Sequence, residues 1–146
     1  MATVKIKNRT RVKIDLEPLR EFARRALESR RKWRGSELSI TFVGGRAIQE
    51  LNEKWRGQPR PTDVLSFPMD EPEGPEGGEL LIGDIVIAPG QALADAREEG
   101  AEPEDKFREL VLHSILHLMG YGHETLAGAR KMEKRRLEIL KKIGDA

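Results

Sequence analysis

Polar and apolar residues alternate along Thr3-Val4-Lys5-Ile6-Lys7, the pattern of a strand with one buried face. From Glu17 to Lys32 the period lengthens. Leu19, Phe22, Ala23, Ala26 and Leu27 recur at helical spacing, with Arg and Glu on the opposite face, so this segment is expected to be an amphipathic helix. Ser36-Glu37 opens a second strand, Leu38 to Val43, stopped by Gly44-Gly45. Arg46 to Trp55 reads as a short helix with Ile48, Leu51 and Asn52 on one face. Val64 to Phe67 is a short strand closed by Pro68, and Leu80 to Ile87 a strongly β-prone, buried one. After Pro89-Gly90, a helix over Gln91 to Glu99 stops at Gly100. A long helix is expected from Glu102 to Met119, opened by Pro103 and by acids that suit its dipole, and ended by Gly120. A last helix runs from about Glu124 to Lys142. Residues 70–78 hold only Pro, Gly and acid and are expected to form an exposed loop. The elements predict an α+β fold: one domain over 1–146, with a small mixed sheet of about four strands packed against several helices.

Composition narrows the chemistry. The 146 residues suit one domain. With no cysteine, disulfides, thiolate zinc sites and cysteine nucleophiles are excluded. No apolar run approaches the roughly 18 residues that span a bilayer, and the N-terminus lacks an apolar signal region, so a cytoplasmic protein away from membranes is expected. The net charge of +1 hides a segregation. Residues 1–60 carry 16 Lys and Arg against 7 acids, residues 61–110 carry 3 against 14, and residues 111–146 carry 7 against 4. The basic segment is the footprint of a polyanion binder, unless it faces the acidic segment within the fold.

All three histidines lie within eleven residues, His113-Ser-Ile-Leu-His117-Leu-Met-Gly-Tyr-Gly-His123. Positions i and i+4 share a helix face, so His113 and His117 can offer imidazole nitrogens to one ion. Gly120 and Gly122 are expected to let the chain reverse and bring His123 to the same point. Three histidines with an open fourth position are the ligand set of a catalytic zinc, with the metal at the end of a central helix. Nickel or copper would accept the same ligands. The spacing also matches metzincin proteases, but their general-base Glu is replaced by Ser114, which argues against peptide hydrolysis by that route.

Three ordered blocks then resemble one family. They are Leu51-Asn-Glu-Lys-Trp-Arg-Gly57 continuing to Pro61-Thr-Asp-Val-Leu-Ser-Phe-Pro68, Gly83-Asp-Ile-Val-Ile87, and the histidine block. Together they resemble the YbeY endoribonucleases, or ribosomal RNA maturation factors, whose histidine pattern is H-G-x-L-H-L-x-G-Y-D-H. Ser114 and Gly122 depart from that pattern, and neither removes a metal ligand. The resemblance implies a metal-dependent, single-strand-specific endoribonuclease acting in ribosomal RNA processing and quality control, with a ribosome or ribosomal protein as partner. It also implies that Arg56 matters for activity. Chemistry agrees, since a guanidinium can fork onto two phosphoryl oxygens. The expected catalytic set is Arg56, His113, His117 and His123, with either water or the RNA 2′-hydroxyl as nucleophile.

Other residues carry weaker readings. Asp63 and Asp84 could point into the site or make turn contacts. Trp33 and Trp55 could stack on bases, though with few aromatics in the chain both are expected in the core. The run Arg24-Arg25…Arg30-Arg31-Lys32…Arg34 is either an RNA backbone track or a solvated face. Two alternatives to the ribonuclease stand: a hydrolase of another substrate, and a non-catalytic ribosome-assembly factor with a structural metal.

Overall fold

The alternating segments form β1 (Thr3–Asn8), β2 (Ser36–Phe42), β3 (Val64–Pro68) and β4 (Leu80–Ile87). The structure is a computed structural model that describes residues 1–69 and 80–144. The acidic run 70–78 read as a loop lies outside the described residues. The strands make one sheet in the order β1-β2-β4-β3. β1, β2 and β4 run parallel, and β3 closes the edge antiparallel to β4. The α+β fold with a small mixed sheet is as expected.

Alternation decides what each face meets. Along β2, Ser36, Leu38, Ile40 and Phe42 are buried while the residues between them are half-buried. Leu38, Ile40 and Phe42 join Val4 and Ile6 of β1 and Ile85 and Ile87 of β4 in the main core. Onto it pack α1 (Leu16–Glu28), α4 (Pro103–Leu118) and α5 (Leu126–Lys142). α4 runs through the centre, with Phe107 edge-to-face against Phe42 at 5.4 Å between ring centres. On the other face α2 (Gly45–Arg56) buries Ile48 against Leu65, Val86 and Ala88. α3 (Pro89–Glu99) links β4 to α4 and starts with proline in its first turn, where the missing N–H is not needed.

Three helix ends differ from the sequence reading by two residues or more, and one of them is the start of α3 at Pro89 rather than Gln91. α1 stops at Glu28 rather than Lys32. The Ser29 hydroxyl donates to the Ala26 carbonyl at 2.6 Å, competing with helical pairing. A 3₁₀ turn, Arg31–Trp33, then buries the indole of Trp33. α5 starts at Leu126, two residues later than expected, because Thr125 is its N-cap and its hydroxyl accepts the Gly128 N–H at 2.9 Å.

One irregularity shapes the sheet beside the site. Glu37 pairs with Leu81 but Leu38 pairs with Gly83, so Ile82 is an extra residue on β4. The bulge turns Ile82 into the same core as Ile85 and Ile87. Next to it, a Cβ on Gly83 would stand 2.4 Å from the Phe67 carbonyl oxygen and 3.0 Å from Leu118 Cδ2. Only glycine fits without moving the β3 backbone. Gly83→Ala is therefore expected to destabilise the fold by about 1–3 kcal/mol, seen as a lower urea midpoint at unchanged slope. An unchanged midpoint would show that β3 yields freely.

Candidate metal centre

α4 carries His113 and His117 one turn apart near its C-terminus, and their Nε2 atoms approach to 2.9 Å. The helix ends at Leu118, and Gly120 takes a φ of 102°, the left-handed region that glycine enters without penalty. The chain then returns His123 to the pair, its ring centre 5.5 Å from that of His113 and 5.2 Å from that of His117. One nitrogen from each ring lies within 4.8 Å of the others. Gly122 does not adopt positive φ, contrary to expectation. Its carbonyl instead faces α5, where a Cβ on Gly128 would stand 2.8 Å away. Gly128 thus lets α5 seat the loop that carries His123, a tertiary contact no local sequence signal announces.

Two further contacts brace that loop. A backbone hydrogen bond at Tyr121 favours the protonated His117 ring, and a carbonyl on the far nitrogen of a metal-binding imidazole fixes the ring's orientation. The Tyr121 hydroxyl accepts from Arg30 Nη1 at 2.9 Å and from Arg135 Nε at 2.8 Å. Burial opposes ionisation of this phenol, but the two arginines outweigh it and hold its pKa below the usual value. The loop is thereby tied both to α5 and to the stretch that follows α1.

The electrostatics favour neutral imidazoles. Burial first, then the like charges His117 and His123 would carry, push His113 down to about 4. His117 is lowered by burial, by His123 and by Arg56. Neutral nitrogens are what a metal requires. Three nitrogens bound to one zinc at 2.0–2.1 Å would be roughly 3.3 Å apart in a tetrahedron; the 2.9 Å pair and the 4.8 Å limit of the cluster bracket that spacing, so modest ring movement fits the residues to such an ion. His123 is exposed and leaves one side open.

A pH dependence follows. With no metal bound, the unfolded chain takes up protons near pH 6.5 and the folded His113 only near 4. Folding stability is therefore fully present above about pH 6.5 and lost as pH falls towards 4. Urea unfolding of chelator-treated protein should show a lower midpoint at pH 5 than at pH 7. Equal midpoints would contradict the burial of His113.

The open side faces a cleft of about 330 Å³ lined by His113, Ser114, His117 and Leu118 of α4, by Val64 to Ser66 and Pro68 of β3, and by Arg56. Arg56 ends α2 and reaches over the edge strand, donating to the Ser66 carbonyl at 3.0 Å. His113, His117 and Arg56 of the expected catalytic set thus line one cleft, and His123 adjoins it through the other two imidazoles. Ser114 is 1% exposed and forms part of the wall. Among the described residues, no carboxylate lines it.

Other candidates lie elsewhere. Asp84 is exposed on the sheet face away from α4, beside Lys5 and Ser39. Asp63 pairs with Asp95 of α3, and burial together with that neighbour raises its pKa. Several arginines of the basic run brace the fold. Arg24 pairs with Glu21 and Glu28, and Arg25 donates to the Ile143 carbonyl. Trp33 is in the core as expected, whereas Trp55 is 62% exposed.

Comparison with known proteins gives one answer. The profile of a family described as Endoribonuclease YbeY matches residues 5–144. A protein of Moorella thermoacetica named Endoribonuclease YbeY is 43% identical over 116 residues, covering 75% of this chain and 74% of its own length. One of the same name from Acidothermus cellulolyticus is 37% identical over 146 residues, covering 94% of this chain and 89% of its own. The solution structure of TM1509 from Thermotoga maritima is similar at a TM-score of 0.64 and 30% identity, covering 96% of this chain and 91% of that one.

Proposed function

The chain belongs to the YbeY endoribonuclease family, and from that membership we propose that it cleaves single-stranded RNA during maturation of ribosomal RNA in the cytoplasm. In this reading residues 1–146 form one metal-dependent hydrolase domain, and His113, His117 and His123 hold a divalent ion, zinc before nickel or copper. A ribosome or ribosomal protein delivers the substrate. Among the described residues, no helix is long and apolar enough to cross a membrane.

The observation that carries the reading is a cluster of three imidazoles, two of which line a single cleft together with one guanidinium. When bound, the ion would supply Lewis-acid chemistry, withdrawing charge from a phosphoryl oxygen and acidifying water. Arg56 binds the same phosphodiester and stabilises the negative charge that grows on its oxygens. The Ser66 carbonyl holds the guanidinium over the cleft before substrate arrives, which reduces the ordering needed later. Among the described residues no carboxylate lines the wall, and Ser114 follows the first histidine where a peptidase carries its base. The attacking oxygen belongs to water or to the RNA 2′-hydroxyl.

The test is cleavage of end-labelled single-stranded RNA by zinc-loaded protein beside chelator-stripped protein. Cutting is expected only with metal. A 2′,3′-cyclic phosphate end identifies attack by the 2′-hydroxyl, and a plain phosphate end identifies water. Equal cutting by stripped protein that stays metal-free would sink the reading.

A further inference from the structure

α2 ends on two consecutive residues that meet two consecutive residues of the edge strand. Arg56 donates to the Ser66 carbonyl at 3.0 Å, and the Trp55 ring stands edge-to-face to Phe67 with centres 6.5 Å apart. Arg56 lines the histidine cleft, while Trp55 remains 62% exposed on the flank of β3 where Phe67 packs against the smaller core cluster. The Lys54 ammonium lies 5.2 Å from the indole centre. The rim of the cleft thus presents an exposed, braced aromatic ring between two cations of one helical turn.

This placement runs against the hydrophobic effect. The chain has two Trp, one Tyr and four Phe, and Trp33, Phe22, Phe42 and Phe107 are all spent on the core. An indole gives up a large burial term by staying in water. A stacked base would recover that term, because every base offers a π-face to an aromatic ring. In a duplex both faces of a base are covered by its neighbours, so only an unpaired base can make the contact. The flanking cations favour a phosphodiester strand over an apolar protein surface.

We propose that Trp55 is a stacking platform for an unpaired nucleobase beside the phosphate held by Arg56, and thereby a determinant of single-strand preference. The proposal rests on the RNA-cleaving reading above and names a binding subsite for it.

Tryptophan emission and binding of the full-length, metal-loaded protein provide the test, at a temperature where cleavage is slow. The probes are a short oligoadenylate, the same strand in duplex with oligouridylate, and inorganic polyphosphate, which carries charge without bases. Oligoadenylate should quench the wild-type emission, whereas the duplex and polyphosphate should not. Trp55→Ala should weaken oligoadenylate binding about 5- to 100-fold, and Trp55→Phe by less. Both variants should bind polyphosphate as wild type does and unfold at the wild-type temperature. Unaltered oligoadenylate affinity in Trp55→Ala would overturn the proposal and leave the indole to a protein partner. Equal weakening towards oligoadenylate and polyphosphate would overturn it as well. Quenching by oligoadenylate without any cleavage would remove the ribonuclease reading and leave the platform standing. Cleavage that Trp55→Ala retains with full affinity would remove the platform alone.

Discussion

Arg56→Ala is expected to slow RNA cleavage about 10²- to 10³-fold while leaving fold and metal content as they are. The magnitude is that of one charge-stabilising donor removed from a reaction centre. Little else should change, because Arg56 is exposed and donates to the Ser66 carbonyl, beside solvent at the sheet edge. Exposed substitutions of this kind usually shift stability by no more than about 0.5 kcal/mol. Arg56→Lys should recover part of the rate, since an ammonium keeps the charge but not the planar fork. The loss should fall on kcat more than on KM if the guanidinium acts chiefly on charge that appears in the transition state. Single-turnover cleavage by protein of equal zinc content checks this. A wild-type rate in Arg56→Ala would reduce Arg56 to a surface residue.

His113→Ala should abolish both zinc-dependent cleavage and zinc-dependent stabilisation. A ligand present at 1,000 times its dissociation constant stabilises the folded state by about 4 kcal/mol. Wild type should show a rise in unfolding temperature with zinc that corresponds to this, and the variant almost none. The metal-free fold should survive, because its core is built from neighbours such as Val111, Leu112 and Ile115, not from the imidazole. The variant also removes the group whose burial penalises acid pH, so its metal-free stability should vary less between pH 5 and pH 7 than that of wild type. A variant that fails to fold in the absence of metal would mean that the histidines brace the structure. One that still binds zinc tightly would remove His113 from the ligand set.

The elements of this fold were legible because most have one buried face, and that writes a period of two or of about 3.6 into the chain. β2 alternates without a fault, and the α1 stripe from Leu19 to Leu27 is buried throughout. Ends were less legible where side chains intervene, as at Ser29 and Thr125. The histidine cluster could be read because its geometry is local: a helical turn and a glycine hinge. What lies across the fold could not be read. The approach of Gly128 to Gly122 and the arginine brace on Tyr121 join distant segments. Trp55 misled for a related reason. It follows Ile48 and Asn52 at core spacing, yet the last turn of α2 stands at the edge strand, where little covers it.

The local origin of the three imidazoles bears on how an ion would leave. Two sit on the final turns of α4, and the third follows in the stretch just past Gly120. Release then requires only that the short stretch after the helix peel away, a sub-global opening that exposes little surface. Its rate should be nearly independent of urea below the unfolding transition, since that dependence scales with surface exposed. The latch is the Tyr121 hydroxyl gripped by Arg30 and Arg135. Loosening it should hasten metal exchange while the rest of the molecule keeps its amide protons.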